Sequence, residues 1–233
     1  MIITYWSDFT CPFCYIAEAR LKKALKDLGI EEETRLDFKA FELNPNASTV
    51  PKRNVIEGFQ RHYGLSEAAA RDNVDRISSL GRAEGLDFNY GSAHVTNTFD
   101  ALRLAKLAQS KGYVAGHRYI DRMYKAFFGE NMILSDHEVL QKTAVEAGLD
   151  ASEVAEVLAG DRFADEVRSD ENESRMYGIS AVPFFVVNGK YGIPGAVETS
   201  DFKKILMRAY SEEESESDVQ GMTCGPDGCR PRE

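Results

Sequence analysis

Polar and apolar positions change period twice along this chain. Residues 1–7, MIITYWS, form a short apolar and aromatic run that predicts a buried strand. Apolar residues then recur at Ile16, Ala17, Leu21, Ala24, Leu25 and Leu28, the spacing of one helix face. Thr10 is placed to cap this helix, Cys11 to open it and Gly29 to end it. The segment TRLDFKAFELNP reads as a second strand that Asn44-Pro45 stops. A helix between two strands favours a right-handed crossover.

From about residue 50 to 177 the pattern is helical throughout. VIEGFQRHYG, SEAAARDNVDRISSLGRAEG, NTFDALRLAKLAQSKG and YIDRMYKAFFG each carry a helix period, and Gly64, Gly85 and Gly112 are stops. Ser135 with Glu138, and Asp150 with Glu153, have the spacing of capping boxes before two more helices. Strand signal returns in PFFVVNGKYGIPG, where Asn188-Gly189 predicts an antiparallel hairpin. A last helix, SDFKKILMRAY, follows Thr199 or Ser200 as its cap. The pattern therefore predicts an α/β protein. Residues 1–49 and 178–210 form one domain, 50–177 a helical insertion, and 211–233 an acidic mobile tail.

Composition narrows the chemistry. The net charge of -10 argues against a nucleic-acid backbone as partner. No apolar run approaches the roughly 18 residues that cross a bilayer, so no membrane is expected. The opening MIITYWSDF has no basic start, long apolar core or small-residue cleavage site, which points to the cytoplasm. His62, His94, His117 and His137 show no metal-ligand spacing and read as surface or packing residues. Tyr124, Phe127 and Phe128 read as core rather than as a cofactor box. Neither a phosphate-binding glycine loop nor a GxSxG serine motif is present.

The four cysteines form two close pairs, Cys11/Cys14 and Cys224/Cys229. Such spacing points to redox chemistry or metal rather than to a disulfide-stapled scaffold. Cys11 falls in the first turn of a helix, where unpaired N–H groups and the helix dipole favour a thiolate. Cys14, one turn further in, is expected to be more buried and less acidic. An exposed nucleophile and a second, resolving thiol suit disulfide exchange. Cys-x2-Cys is also half a zinc site, with Cys224 and Cys229 able to supply the other half. Against zinc, the pair opens an amphipathic helix rather than a glycine-rich turn.

Pro183 precedes an apolar strand, a place where proline is often cis. Strand-helix-strand with Cys-x-x-Cys at the helix start, then Val-Pro and a hairpin, together resemble the thioredoxin fold. The long helical insertion and the CPFC sequence resemble the DsbA family within it. SDFTCPFC, NTFDALRLAKLA, GISAVPFFVVNGKYGIPGA and CGPDGC are similar to its FrnE-like branch, and these segments run from residue 7 to 229.

The resemblance implies a thiol-disulfide oxidoreductase with Cys11 as nucleophile and Cys14 as resolving thiol. Pro12, Phe13, Val182 and Pro183 are then the substrate-facing positions, with Val182 pairing to substrate backbone. Asn97 and Thr98 match the family's segment in the insertion, where selectivity is expected to lie. Protein or peptide thiols and disulfides are the implied partners, with glutathione as a redox partner and no required cofactor or metal.

Two departures stand out. The strand before the cysteines carries no acid, Asp8 being the nearest, and Pro12-Phe13 lacks a histidine to stabilise the thiolate. A milder oxidant than the strongest members, near -120 mV, is expected. A glutathione-dependent transferase or isomerase of the same architecture is the first rival, and a non-catalytic zinc or peptide-binding module the second. Cys224 and Cys229 flank a turn-rich Gly-Pro-Asp-Gly and read as an auxiliary dithiol. A flexible coil from Tyr210 to Cys224 spans roughly 20 Å, against a chain radius of gyration of about 17 Å. Two readings follow: a second dithiol within reach of intramolecular exchange with Cys11/Cys14, or two spare thiols on a disordered tail.

Overall fold

Six residues of nearly unbroken apolar and aromatic character, Ile2–Ser7, form the central strand β1. The computed structural model describes residues 1–220, 222–225 and 228–231, with side chains through residue 212. Helix α1 (Pro12–Leu28) follows, and Gly29, at φ 70°, closes it in the left-handed conformation that glycine adopts most easily. Strand β2 (Arg35–Ala40) returns parallel to β1, as the intervening helix requires.

On the other side of β1 lies β3 (Phe184–Val187), antiparallel, and beyond it β4 (Tyr191–Pro194). The order β2-β1-β3-β4 gives the thioredoxin-like mixed sheet. Asn188 and Gly189, both at positive φ, make the β3–β4 turn at the expected position.

Alternation along β1 sends its two largest side chains to opposite faces. Tyr5 stacks on Phe185 at 5.6 Å and meets Phe38 edge-on at 5.7 Å. Trp6 turns the other way, and its indole N–H donates to the Asp170 carbonyl at 3.0 Å.

Between β2 and β3 the chain is helical. The segments are α2 (Val55–Tyr63), α3 (Glu67–Ala83), α4 (Phe99–Ser110), α5 (Tyr113–Tyr124), α6 (His137–Glu146), α7 (Ala151–Ala159) and α8 (Ala164–Met176). A π-helical turn, Lys125–Gly129, ends α5. Tyr124, Phe127 and Phe128 are fully buried there, in the aromatic packing between the insertion and α1.

One expected cap shifts by a residue. Asp136, not Ser135, caps α6 by accepting from Glu138 N, while the Ser135 hydroxyl donates to the Thr49 carbonyl. Asp150 caps α7 as its position suggests. The reciprocal box of the insertion is Asn54 with Glu57 at the start of α2, which the pattern did not flag.

The final helix is longer than its apolar pattern. Helix α9 runs Thr199–Gln220, past the expected end at Tyr210. Glutamate is a good helix former, and Glu212 is held by Lys190 at 2.5 Å and the Tyr191 hydroxyl at 2.6 Å. Two short antiparallel strands follow, β5 (Met222–Gly225) and β6 (Gly228–Pro231), with Cys224 opposite Cys229. The remainder of the expected tail, residues 221, 226–227 and 232–233, lies outside the described residues. No helix of the described residues is long and apolar enough to cross a membrane.

Candidate active site

The turn between β1 and α1 places the first cysteine pair. Cys11 is itself the N-cap of α1 (φ -82°, ψ 111°), with Pro12 in the first turn. This corrects the expected Thr10 cap. Proline is favoured at the first helical position, which moves the cap one residue on, to Cys11, and the Thr10 hydroxyl is spent on Asp8 Oδ1 at 3.0 Å. The Cys11 side chain makes no capping hydrogen bond to the first turn; its thiol turns to the Val182 carbonyl instead.

The expected contrast in exposure is absent. Cys11 is 3% exposed and Cys14 2%, and both are free thiols. The loop before β3 covers Cys11: Val182-Pro183 is a cis peptide, and the Cys11 thiol donates to the Val182 carbonyl at 3.5 Å. Pro12 is buried, whereas Phe13 is 41% exposed at the mouth of the site. Cys11, Cys14, Val182 and Pro183 thus meet although 171 positions separate Cys11 from Val182.

The course of α9, which leads toward Cys224 and Cys229, is set at the far end of the sheet. Cys11 follows the C-terminal end of β1. Glu212 of α9 sits with Lys190 in the β3–β4 turn, and Asn188 N in that turn donates to the Ile2 carbonyl at the N-terminal end of β1. The Tyr210 hydroxyl donates to Glu33 at 2.6 Å at the same end. Helix α9 leaves the sheet at the end opposite Cys11. The flexible-coil reach does not apply to residues 211–220, which are helical.

Beneath Cys14 lies a buried polar chain. Burial pushes the Cys14 thiol well above its usual range, and its contact with Cys11 adds to this. The neighbouring Ser7 hydroxyl and Asp8 backbone act the other way and favour the thiolate. Ser7 and the Tyr124 hydroxyl also share a very short hydrogen bond. Serine has one proton, so when Ser7 donates to Cys14 the Tyr124 hydroxyl must donate to Ser7.

Glu18, one helical turn after Cys14, is 2% exposed and pairs with Lys22 at 2.8 Å. This buried carboxylate acts on the Tyr5 and Tyr124 hydroxyls, whose pKa values it helps to raise after burial. Asp8 has a different task. Its carboxylate accepts from Thr10 N (2.9 Å), the Thr10 hydroxyl (3.0 Å), Leu43 N (2.7 Å) and the Thr98 hydroxyl (3.3 Å), which ties the Cys11 turn to the loop after β2 and to α4. Burial raises its pKa, against the pull of these four donors. Asn97 supports the same loop through Glu42 at 3.3 Å.

Sequence reasoning missed Ser7, Tyr124 and Glu18. Glu18 had a signal, its i,i+4 spacing from Cys14 on a helix. Ser7 and Tyr124 had none, because 117 positions separate them. Among the described residues no group of three or more His, Cys, Asp or Glu is placed to hold a metal.

Comparison with known proteins places this geometry. A family model described as DSBA-like thioredoxin domain matches residues 2–207. The structure of a probable DsbA oxidoreductase from Streptomyces coelicolor superposes with a TM-score of 0.85 at 33% identity, covering 100% of both chains. The uncharacterized protein YwbO of Bacillus subtilis is 27% identical over 205 residues, 88% of this chain and 94% of that one. A cytosolic disulfide reductase, DsbM of Pseudomonas aeruginosa with glutathione, shares the fold at a TM-score of 0.62 and 13% identity, over 91% of this chain and 100% of that one.

Proposed function

The chain belongs to the DSBA-like thioredoxin domain family, and from this premise we propose that it is a dithiol-disulfide oxidoreductase of the FrnE-like branch, with Cys11 as nucleophile and Cys14 as resolving thiol. The observation that carries the reading is Cys11 at the N-cap of α1, in hydrogen-bonding contact with the Val182 carbonyl beside cis-Pro183. Protein and peptide thiols or disulfides are the proposed substrates, glutathione a redox partner, and the cytoplasm the compartment. Neither nucleic acid nor membrane is a proposed partner.

Reducing a substrate takes two exchanges. The Cys11 thiolate attacks one sulfur of the substrate disulfide. A Cys11–substrate disulfide forms, and the other substrate sulfur leaves as a thiolate and takes up a proton. Cys14 then loses its proton and attacks Cys11 Sγ. The Cys11–Cys14 disulfide forms and the second substrate thiolate leaves. Two electrons pass to the substrate. Oxidation of a dithiol is the same sequence reversed. No metal or organic cofactor enters either direction. Once Cys11 is ionised, the Val182 carbonyl no longer receives its thiol proton and is open to a substrate backbone N–H. Phe13, Pro12 and Pro183 frame that approach.

The Cys224/Cys229 pair is proposed as an auxiliary dithiol. Directly opposed residues of an antiparallel pair have Cα atoms about 4.5–5.5 Å apart, inside the span that a disulfide bridges. Because α9 leads away from Cys11, exchange between the two pairs is expected between molecules.

The pH dependence of the second step tests the reading. Burial holds the Cys14 proton on, so the rate of resolution rises with pH up to the Cys14 pKa. Ser7→Ala removes a donor that favours the thiolate and therefore raises that pKa. At fixed pH below it, resolution is expected to slow by about tenfold, given roughly 1.5–3 kcal/mol for a hydrogen bond to a charged group and partial compensation by a more nucleophilic thiolate. Stopped-flow release of substrate from the mixed disulfide measures this. An unchanged pH profile in Ser7→Ala would remove Ser7 from the mechanism.

A further inference from the structure

One groove runs against the overall charge of the chain. The chain carries ten net negative charges, yet a groove of about 790 Å³ between the loop after β2 and helix α2 is lined by Lys52, Arg53 and Arg61 and by no acidic residue. All three cations are exposed. No described residue forms an ion pair with any of them.

Two acids of the same segments, Glu57 and Glu42, lie outside the lining and have partners of their own. Glu57 turns back to accept from Asn54 N at 3.0 Å, and Glu42 pairs with Arg168 at 2.5 Å. The groove also gathers exposed apolar surface, with Tyr63 62% and Val95 42% exposed beside Phe59.

The groove is tied to the turn that carries the dithiol. Leu43, on its rim, donates its backbone N–H to Asp8 Oδ2 at 2.7 Å, and Asp8 holds the turn that carries Cys11. Tyr90 forms part of the lining. Its hydroxyl pKa is raised first by burial and then by the neighbouring Cys11 charge.

We propose that this groove docks an extended polypeptide segment whose acidic and apolar side chains flank the cysteine presented to Cys11. The proposal rests on the oxidoreductase reading above and adds its substrate preference. Carboxylates would meet Lys52, Arg53 and Arg61, and an apolar side chain would cover Phe59 and Tyr63. Exposed ion pairs are individually weak, so selectivity comes from several acting together and from the field of a groove with one sign of charge.

The test compares two reduced dithiol peptides that share apolar residues and differ in flanking glutamates or lysines. Oxidation of each by full-length oxidised protein is followed at low and high salt. Binding of the same peptides with cysteine replaced by serine is read by fluorescence anisotropy. The acidic peptide is expected to be preferred by about tenfold in kcat/KM and in binding at low salt. The preference should fall toward one near 1 M salt, where the screening length is about 3 Å. The variant Lys52→Glu/Arg53→Glu/Arg61→Glu should reverse the ratio, whereas a folding defect would lower both rates together.

Equal binding of the two peptides by the parent protein, or an unchanged ratio in the variant, overturns the proposal. So does a variant that alters exchange with glutathione disulfide while the peptide ratio stays as it was, since the groove then takes the small thiol. Selective binding of the acidic serine peptide without any oxidation would uphold the docking surface and sink the oxidoreductase reading instead.

Discussion

Cys11→Ser is expected to lower disulfide exchange by at least ~10³-fold, because a serine hydroxyl neither ionises near neutral pH nor forms a disulfide. Cys14→Ser should behave differently. Cys11 still attacks, but nothing displaces the substrate, so a Cys11–substrate disulfide accumulates. The asymmetry follows from position. Cys11 holds the N-cap of α1 under the Val182 carbonyl, while Cys14 points inward to Ser7 and Asp8. Intact mass after incubation with a disulfide peptide reads both variants. With Cys224 and Cys229 replaced by serine in both variants, one peptide adduct on Cys14→Ser and none on Cys11→Ser is the expected pair. An adduct on Cys14 in Cys11→Ser, at the rate of the parent, would reverse the assigned roles.

Phe128→Ala is expected to cost about 3–5 kcal/mol of stability, the range for emptying a buried aromatic site. Phe128 is fully buried and stacks on Phe88 at 4.6 Å and Tyr15 at 5.5 Å, with Phe127 edge-on at 4.8 Å. Tyr15 follows Cys14 on α1, so these rings join the insertion to the helix that carries the dithiol. Several neighbours lose contact at once, and rings held by one another relax poorly into the space. For a chain of this length the thermal midpoint should fall by roughly 6–20 °C. Urea unfolding with an unchanged slope would locate the loss in the native state. A cost below about 1 kcal/mol would mean that the cluster closes over the gap, and that the insertion is fastened to α1 elsewhere.

Local signals made the sheet and the dithiol legible. The run at Ile2–Ser7, the helical face from Ile16 to Leu28 and the Asn188-Gly189 turn each act within a few residues, so periodicity and turn chemistry were enough. The errors came where two local rules competed. Thr10 is a good cap by type, but Pro12 fixed the helix start and Asp8 took the Thr10 hydroxyl. The apolar pattern of the last helix fades at Tyr210, yet Glu212 finds partners in the β3–β4 turn and the helix continues. What lay out of reach was set by tertiary contact. The burial of Cys11 depends on Val182, the link between Ser7 and Tyr124 spans the insertion, and the cationic groove is assembled from separate segments.

The central claim is that Cys11 and Cys14 form one redox couple. The most direct measurement is a glutathione redox titration of the full-length protein, with thiols alkylated at each point and all four cysteines read by peptide mass. The account predicts that Cys11 and Cys14 oxidise together as a two-electron couple. Its potential should lie near or above about -200 to -230 mV, and below the -120 mV of the strongest oxidants. A linked change in Cys224 and Cys229 that grows with protein concentration would bring the auxiliary pair into the same cycle. If Cys11 and Cys14 form no disulfide at any potential, and Cys11 only takes up glutathione or neither thiol reacts, the account is contradicted and a glutathione-dependent transferase or a non-redox module takes its place.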